Sequence, residues 1–243
     1  MGLVLVVLAV VVGLLVGMVG VGGVLLVPGL VALGDLSANE ATATSTWAFV
    51  FTGVVGTTAY AWRGVVPWRM LAPLAIGVVP AAFAGALVNA TLPAPVVLLG
   101  LAALTLFVGV HQLRPGATRG GRAQLGAAAL VVIGALVGFG SALTGTGGPV
   151  LLVPTLLALG VAPLRAVAVS QAVQLPVVAS GSLAYLQAGL VDVRLGTTLG
   201  AVAAVGVTAG AVVATRIHAE DLRRVVAWAC LAAGAFLLAR AAL

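Results

Sequence analysis

Read for its succession of apolar and polar positions, the chain falls into long uncharged stretches separated by short polar or proline- and glycine-rich breaks. Six stretches, at about 42–62, 70–88, 95–113, 166–186, 195–215 and 222–239, are close to the roughly 20 residues that one membrane-spanning helix needs. Two others, 1–34 and 125–160, are too long for that. As one helix, the first would extend about 51 Å at 1.5 Å per residue, against a hydrocarbon core of about 30 Å. Each must tilt steeply, break or turn back. Both carry Gly-x-Gly-Gly about two thirds of the way along, then a short apolar run and Pro28 or Pro154. Glycine lets a backbone leave the helix at low steric cost, so the breaks are predicted there.

The pattern occurs twice. Ala41, Ala43, Ser45, Gly56, Ala59, Tyr60, Gly64, Val66 and Arg69 reappear 125 positions later as Ala166, Ala168, Ser170, Gly181, Ala184, Tyr185, Gly189, Val191 and Arg194. Gly20-Val21-Gly22-Gly23 returns at the same offset as Gly145-Thr146-Gly147-Gly148. The predicted organisation is a first repeat over 1–113, a linker over 114–124 and a second repeat over 125–243. Two homologous apolar halves, each opened by a glycine tract, are the layout of a membrane transporter with its site between the halves.

Arginine placement bears on topology. If both long segments are re-entrant, each half has three full spans and the halves are inverted. One side then receives Arg63, Arg69, Arg114, Arg119, Arg122, Arg165, Arg216, Arg223 and Arg224, leaving only Arg194 and Arg240 opposite. Full crossing of both segments divides the arginines seven against four. The positive-inside rule favours the inverted arrangement, with both termini outside.

Composition narrows the class further. Charged residues make up 7% of the chain and hydrophobic ones 63%, against about a quarter charged in a soluble domain. An all-α integral membrane protein is expected. The net charge of +6 comes entirely from arginine, scattered between apolar stretches. Nucleic-acid binding needs a concentrated basic face, so no such partner is expected. Cys230 has no second cysteine to pair with, and His111 and His218 lack companions at ligand spacing, so they read as interfacial side chains and no metal or cofactor is expected. No His, Cys or carboxylate cluster lies within an apolar stretch, which argues against an enzyme. The uncharged run 1–34 lacks a basic n-region and far exceeds the about 7 to 15 residues of a signal-peptide core, so it is expected to be retained.

On these motifs the chain resembles the sulfite exporter TauE/SafE family of bacterial and archaeal membrane transporters, over essentially its whole length. The resemblance lies in the two glycine tracts with their following prolines, and in Ala-x-Ala-x-Ser at 41–45 and 166–170. The third match is Gly-x-Val-x-x-Arg at 64–69 and 189–194. Two departures stand out: Val24 and Pro149 replace a third glycine common in the family, and the first copy is one residue shorter between glycines and proline. The resemblance implies a multi-pass protein of the cytoplasmic membrane that moves a small anion such as sulfite or an organosulfonate. An anion channel on the same fold, or a non-transporting membrane scaffold, are the alternatives.

An arginine at the membrane midplane costs roughly 2.5 to 3.5 kcal/mol, and no stretch places one there. A broken helix offers free backbone N–H groups and a partial charge of about +0.5 instead. The candidate anion site therefore comprises Gly20, Gly22, Gly23, Gly145, Thr146, Gly147 and Gly148, with Ser45, Thr46, Ser170, Gln171 and Gln174 around them. Ser141 and Thr144 flank the second tract. Gly13 with Gly17, and Gly134 with Gly138, read as close helix packing. Asp35, Glu40, Asp192, Glu220 and Asp221 lie at segment ends. Glu40 is the best candidate for proton coupling, though stabilising the start of its helix is the expected role.

Overall fold

Each polar break in the sequence starts or ends a helix. The computed structural model describes residues 2–20, 22–113, 125–213 and 219–241, and among them every regular element is helical. The order is α1 (Gly2–Val19), a single 3₁₀ turn (Gly22–Leu25), α2 (Leu26–Leu33), α3 (Ala38–Trp62), α4 (Trp68–Thr91) and α5 (Ala94–Leu113). There follow α6 (Ala127–Thr144), α7 (Pro149–Ala158), α8 (Pro163–Gln187), α9 (Val193–Val213) and α10 (Ala219–Ala241). The expected linker, with Arg114, Arg119 and Arg122, lies outside the described residues, as do Val21, Arg216 and His218. The side chains of Glu220, Asp221, Arg223 and Arg240 do too.

Among the described residues, five helices are long and apolar enough to cross a membrane: α4, α5, α6, α8 and α9. The stretch at 42–62 forms a helix of 25 residues but is not among them. Its Thr42, Thr44, Ser45, Thr46 and Thr52 are all buried against other helices, so α3 meets protein where a lone span would meet lipid. Its start is set by chemistry that hydropathy does not report. The Ser37 hydroxyl accepts from the Glu40 N–H, and the Glu40 carboxylate accepts from the Ser37 N–H (2.9 Å) and hydroxyl (2.8 Å), a reciprocal capping box. These bonds hold the Glu40 carboxyl below its usual range. Asp192 plays a similar part at α9, accepting from the Leu195 N–H at 2.9 Å.

Both overlong stretches break at their glycines. In the first, Gly20 has φ +78° and the chain folds back along α1. Gly22 then lies on the Val12 carbonyl and Gly29 on Leu8. In the second, Gly145 ends α6 in the left-handed region, Gly147 and Gly148 have φ +79° and +109°, and α7 starts at Pro149.

Glycine contacts also set the helix directions. Gly13 meets Ala203 and Gly17 meets Val207, so α1 and α9 run the same way. Gly134 meets Leu74 and Gly138 meets Val78, so α6 and α4 do as well. In both pairs a Cβ on the glycine would strike backbone of the partner helix, which is small-residue packing as expected. Gly196 meets Thr44 and Gly200 meets Ala48, which makes α3 parallel to α9. Asn39, at the start of α3, donates to the carbonyl of Asn89, near the end of α4, so these two are antiparallel. Gly53 meets Leu175 while Gly181 meets Thr46, so α3 and α8 are antiparallel. Gly109 meets Ala227 while Gly234 meets Leu106, so α5 and α10 are antiparallel too.

The central α3/α8 pair separates two apolar cores. One gathers Val12, Leu26, Leu30, Leu101 and Leu199; the other gathers Leu74, Val78, Leu130, Leu152 and Val173. Arg63, Arg69, Arg165 and Arg224 stand at the end of the bundle where α3 finishes and α8 begins, and Arg194 stands at the other. His111 is exposed near the end of α5 with its ring beside Phe107, and Cys230 is buried in α10.

Two measurements check this packing. Gly134→Ala sets a methyl against the Leu74 carbonyl and should cost about 1–3 kcal/mol of stability in detergent, whereas Gly100→Ala, with open space around it, should be neutral or gain up to about 1 kcal/mol. Because the Glu40 carboxyl is depressed in the folded chain, its contribution is present at neutral pH and is lost as pH falls through the folded value. Glu40→Gln should flatten that acid limb, and Ser37→Ala should cost about 1 kcal/mol.

Candidate functional site

The two central helices face each other through polar side chains. Thr57 on α3 donates to the Gln171 carbonyl of α8 at 3.0 Å. Gln174 Nε2 donates to the Phe49 carbonyl at 3.2 Å and to Thr52 Oγ1 at 2.8 Å. Gly53 and Gly56 make this possible. A Cβ at Gly53 would stand 3.4 Å from Gln174 Cγ, and one at Gly56 would stand 2.6 Å from Gln171 Oε1.

The two glycine tips meet against the middle of this seam. A Cβ at Gly23 would lie 2.6 Å from the Thr146 carbonyl oxygen and 3.3 Å from the Phe49 ring. Gly20 faces Pro149, Gly147 packs on the Phe49 ring, and Gly148 lies beside Val177 and Gln174. Between them is a narrow gap lined by Val16, Gly20, Gly23, Phe49, Thr146, Pro149 and Gln174, too tight to admit a water molecule. No ionisable side chain lines it. Among the described residues, the N–H groups of Gly147 and Gly148, just ahead of α7, meet no backbone acceptor.

Of the residues singled out in the sequence, Gly20, Gly23, Thr146 and Gln174 line the gap, Gly147 and Gly148 pack on its Phe49 and Gln174, and Gly145 lies against Ser45 and Thr42. Gly22 faces away, against Val12, Leu15 and Val16 of α1. Ser45 donates to the carbonyls of Gly145 (3.0 Å) and Thr42 (3.1 Å), and Thr46 donates to the Thr42 carbonyl at 2.8 Å. Their hydroxyl protons are thus committed to backbone. Gln171 Nε2 donates to the Val16 carbonyl at 2.9 Å, which ties α8 to the end of α1. Ser170 is buried with no partner for its hydroxyl, and Ser141 is the same. Thr146 shares a hydroxyl contact of 3.2 Å with Thr144.

The end of α6 is held more fully than sequence reasoning indicated. The Ala142 carbonyl accepts from Tyr185 Oη at 2.6 Å, that of Leu143 from Asn89 Nδ2 at 2.7 Å, and that of Gly145 from Ser45. Asn89 is itself fixed, since its carbonyl accepts from Asn39 Nδ2 at 2.6 Å. A lone buried amide in an apolar span is the signal that points to Asn89, because such a group seeks protein partners. Phe49, which both tips touch, carries no signal beyond hydrophobicity.

Compared with known families, residues 5–237 match the family described as Sulfite exporter TauE/SafE. No curated protein and no solved structure matched the chain. The family is one of membrane transporters and not of enzymes, and its match spans nearly all of a chain whose described residues include five helices able to cross a bilayer. On that coverage, this multi-pass membrane protein belongs to the sulfite exporter TauE/SafE family of sulfur-anion transporters.

Proposed function

We propose that the protein is a secondary transporter of the cytoplasmic membrane, built of two inverted repeats, that carries sulfite or an organosulfonate between its glycine tips. The observation that carries this reading is the meeting of Gly23 with Thr146 halfway along the α3/α8 seam. Two helix interruptions facing one another inside a bundle bring backbone donors to one point, where an anion needs no charged side chain.

Several observations support the inversion. The counterparts at an offset of 125 are α1 and α6, α3 and α8, α4 and α9, and α5 and α10, and within each pair the helices run in opposite directions. The packing follows the same offset: Gly13 on Ala203 corresponds to Gly138 on Val78, and Leu14 on Gly210 to Phe139 on Gly85. Four of the five arginines with described side chains gather at one end, in keeping with a cytoplasmic face there. On this reading 1–34 and 125–160 are re-entrant, entering from opposite faces and turning at their glycines.

The tightness of the gap supports a carrier over an open channel. A carrier must seal its site from at least one side, whereas a conducting pore would keep a wetted path past Phe49 and Gln174. Ser45, Asn89, Tyr185 and Gln171 act in this scheme by fixing the helix ends that present the donors. The anion is held by backbone N–H groups, each hydrogen bond to charge contributing about 1.5–3 kcal/mol.

In liposomes containing the purified protein, labelled sulfite should exchange saturably. Gly23→Ala places a methyl where the tips touch and should lower that exchange at least about tenfold, while Gly100→Ala leaves it unchanged. Equal exchange in both variants would move the site away from the tips. In a Cys230→Ala background, cysteines placed at Arg63 and Arg194 should react with impermeant reagents from opposite faces, the first only from the cytoplasm. Labelling of Arg63→Cys from outside would reject this topology.

A further inference from the structure

The gap between the tips contains an acceptor that the fold leaves unsatisfied. Gln174 is 1% exposed, and its Oε1 has no partner. Its orientation is set by its neighbours. Nε2 points at the Phe49 carbonyl and Thr52 Oγ1, and Thr52 Oγ1 already donates to that same carbonyl at 3.2 Å. Reversing the amide would press Oε1 against the carbonyl oxygen of Phe49, so the acceptor is the atom left over. An orphaned buried acceptor costs about 1–3 kcal/mol, a burden that a binding site relieves when its ligand arrives.

The surroundings state what such a ligand must offer. The N–H groups of Gly147 and Gly148, which pack against Phe49 and Gln174 beside the gap, have no backbone acceptor and are the nearest uncommitted donors, and Gln174 adds an acceptor. A fully deprotonated oxyanion uses the donors but turns an oxygen lone pair toward Oε1. An oxyanion that retains one O–H satisfies both sides. Charge points the same way: no cationic side chain lines the gap, and the partial positive charges of the two tips, offset in part by the C-terminal ends of α1 and α6, suit one negative charge better than two.

We propose that the transported species is a singly protonated oxyanion, hydrogensulfite, in preference to the sulfite dianion and to sulfonates, which lack an O–H. Gln174 is the residue that selects it, by accepting the ligand's proton in a hydrogen bond. The proposal rests on the glycine tips being the anion site.

The test uses the full chain in liposomes, with labelled-sulfite exchange followed at equal pH on both faces across the second ionisation of sulfurous acid. Above that ionisation the apparent KM for total sulfite should rise about tenfold per pH unit, while the KM expressed as hydrogensulfite stays constant. Methanesulfonate, a monoanion without an O–H, and sulfate, a dianion, should compete at least about tenfold more weakly than hydrogensulfite. A KM for total sulfite that ignores pH, or methanesulfonate competing as well as hydrogensulfite, overturns the proposal and leaves sulfite transport standing. Both arms need only the unmodified protein. Gln174→Met keeps the side-chain length without the acceptor and should bring methanesulfonate to within about threefold of hydrogensulfite; a folded variant that keeps the full preference removes Gln174 from the role. Absence of sulfite exchange at every pH would instead overturn the proposed function itself.

Discussion

A peptide group withdrawn from water must find a hydrogen-bond partner, and in hydrocarbon only the protein can supply one. The structure of this chain is organised around two places where helices stop inside a bundle and free such groups. At the end of α6, Tyr185, Asn89 and Ser45 supply donors to three successive or nearby carbonyls. At the end of α1, the Val16 carbonyl receives Gln171 and the Gly20 N–H. The polar residues that do this come largely from α3 and α8, which explains why those two helices sit at the centre. Helices rich in Thr, Ser and Gln are poor neighbours for lipid and good neighbours for a broken backbone.

The outer helices bring those two together and shield them. Their apolar faces gain little from leaving lipid for protein, so association depends on close approach. Gly13, Gly17, Gly77, Gly85, Gly134, Gly138, Gly206 and Gly210 supply it, each lying against backbone of a neighbouring helix. The principal partners lie across the midpoint of the chain, α1 on α9 and α6 on α4. Neither broken stretch is enclosed by its own half. The glycines of α4 and α9 and the tips of the two tracts therefore serve one arrangement: the first set draws the halves together, and the second meets where they close.

Much of this was legible in the sequence because length and glycine are strong signals. A 34-residue apolar run cannot be one span, and the tracts at 20–23 and 145–148 were the available exits; the chain leaves the helix at both. The other six stretches became α3, α4, α5, α8, α9 and α10 with ends shifted by a few residues, as at α3, where the Ser37–Glu40 capping box starts the helix ahead of the apolar run. The roles of individual hydroxyls were not legible. Ser45 and Thr46 have the composition of ligand donors, but α-helical geometry lets a Ser or Thr side chain reach the preceding turn, and here both do. Gly56, which the sequence shows only as a repeated position, makes room for the carbonyl end of Gln171. Such assignments depend on which side chain lies opposite, and hydropathy along one chain does not contain that.

The neutrality of the gap has a consequence for how an anion could move through it. An arginine at that depth would cost roughly 2.5 to 3.5 kcal/mol to insert and would hold an anion strongly in an environment that screens little. Backbone N–H groups at a helix start attract the same charge more weakly and need no counterion when the anion departs. Their positions are set by neighbours already hydrogen-bonded elsewhere, whereas the gap itself, too tight for water, must widen to admit an anion. A site of this kind trades affinity for ease of release, and ease of release is what repeated turnover requires of a carrier. On the proposed reading Gln174, tethered through Nε2 to Phe49 and Thr52, adds discrimination to that weak field without adding charge.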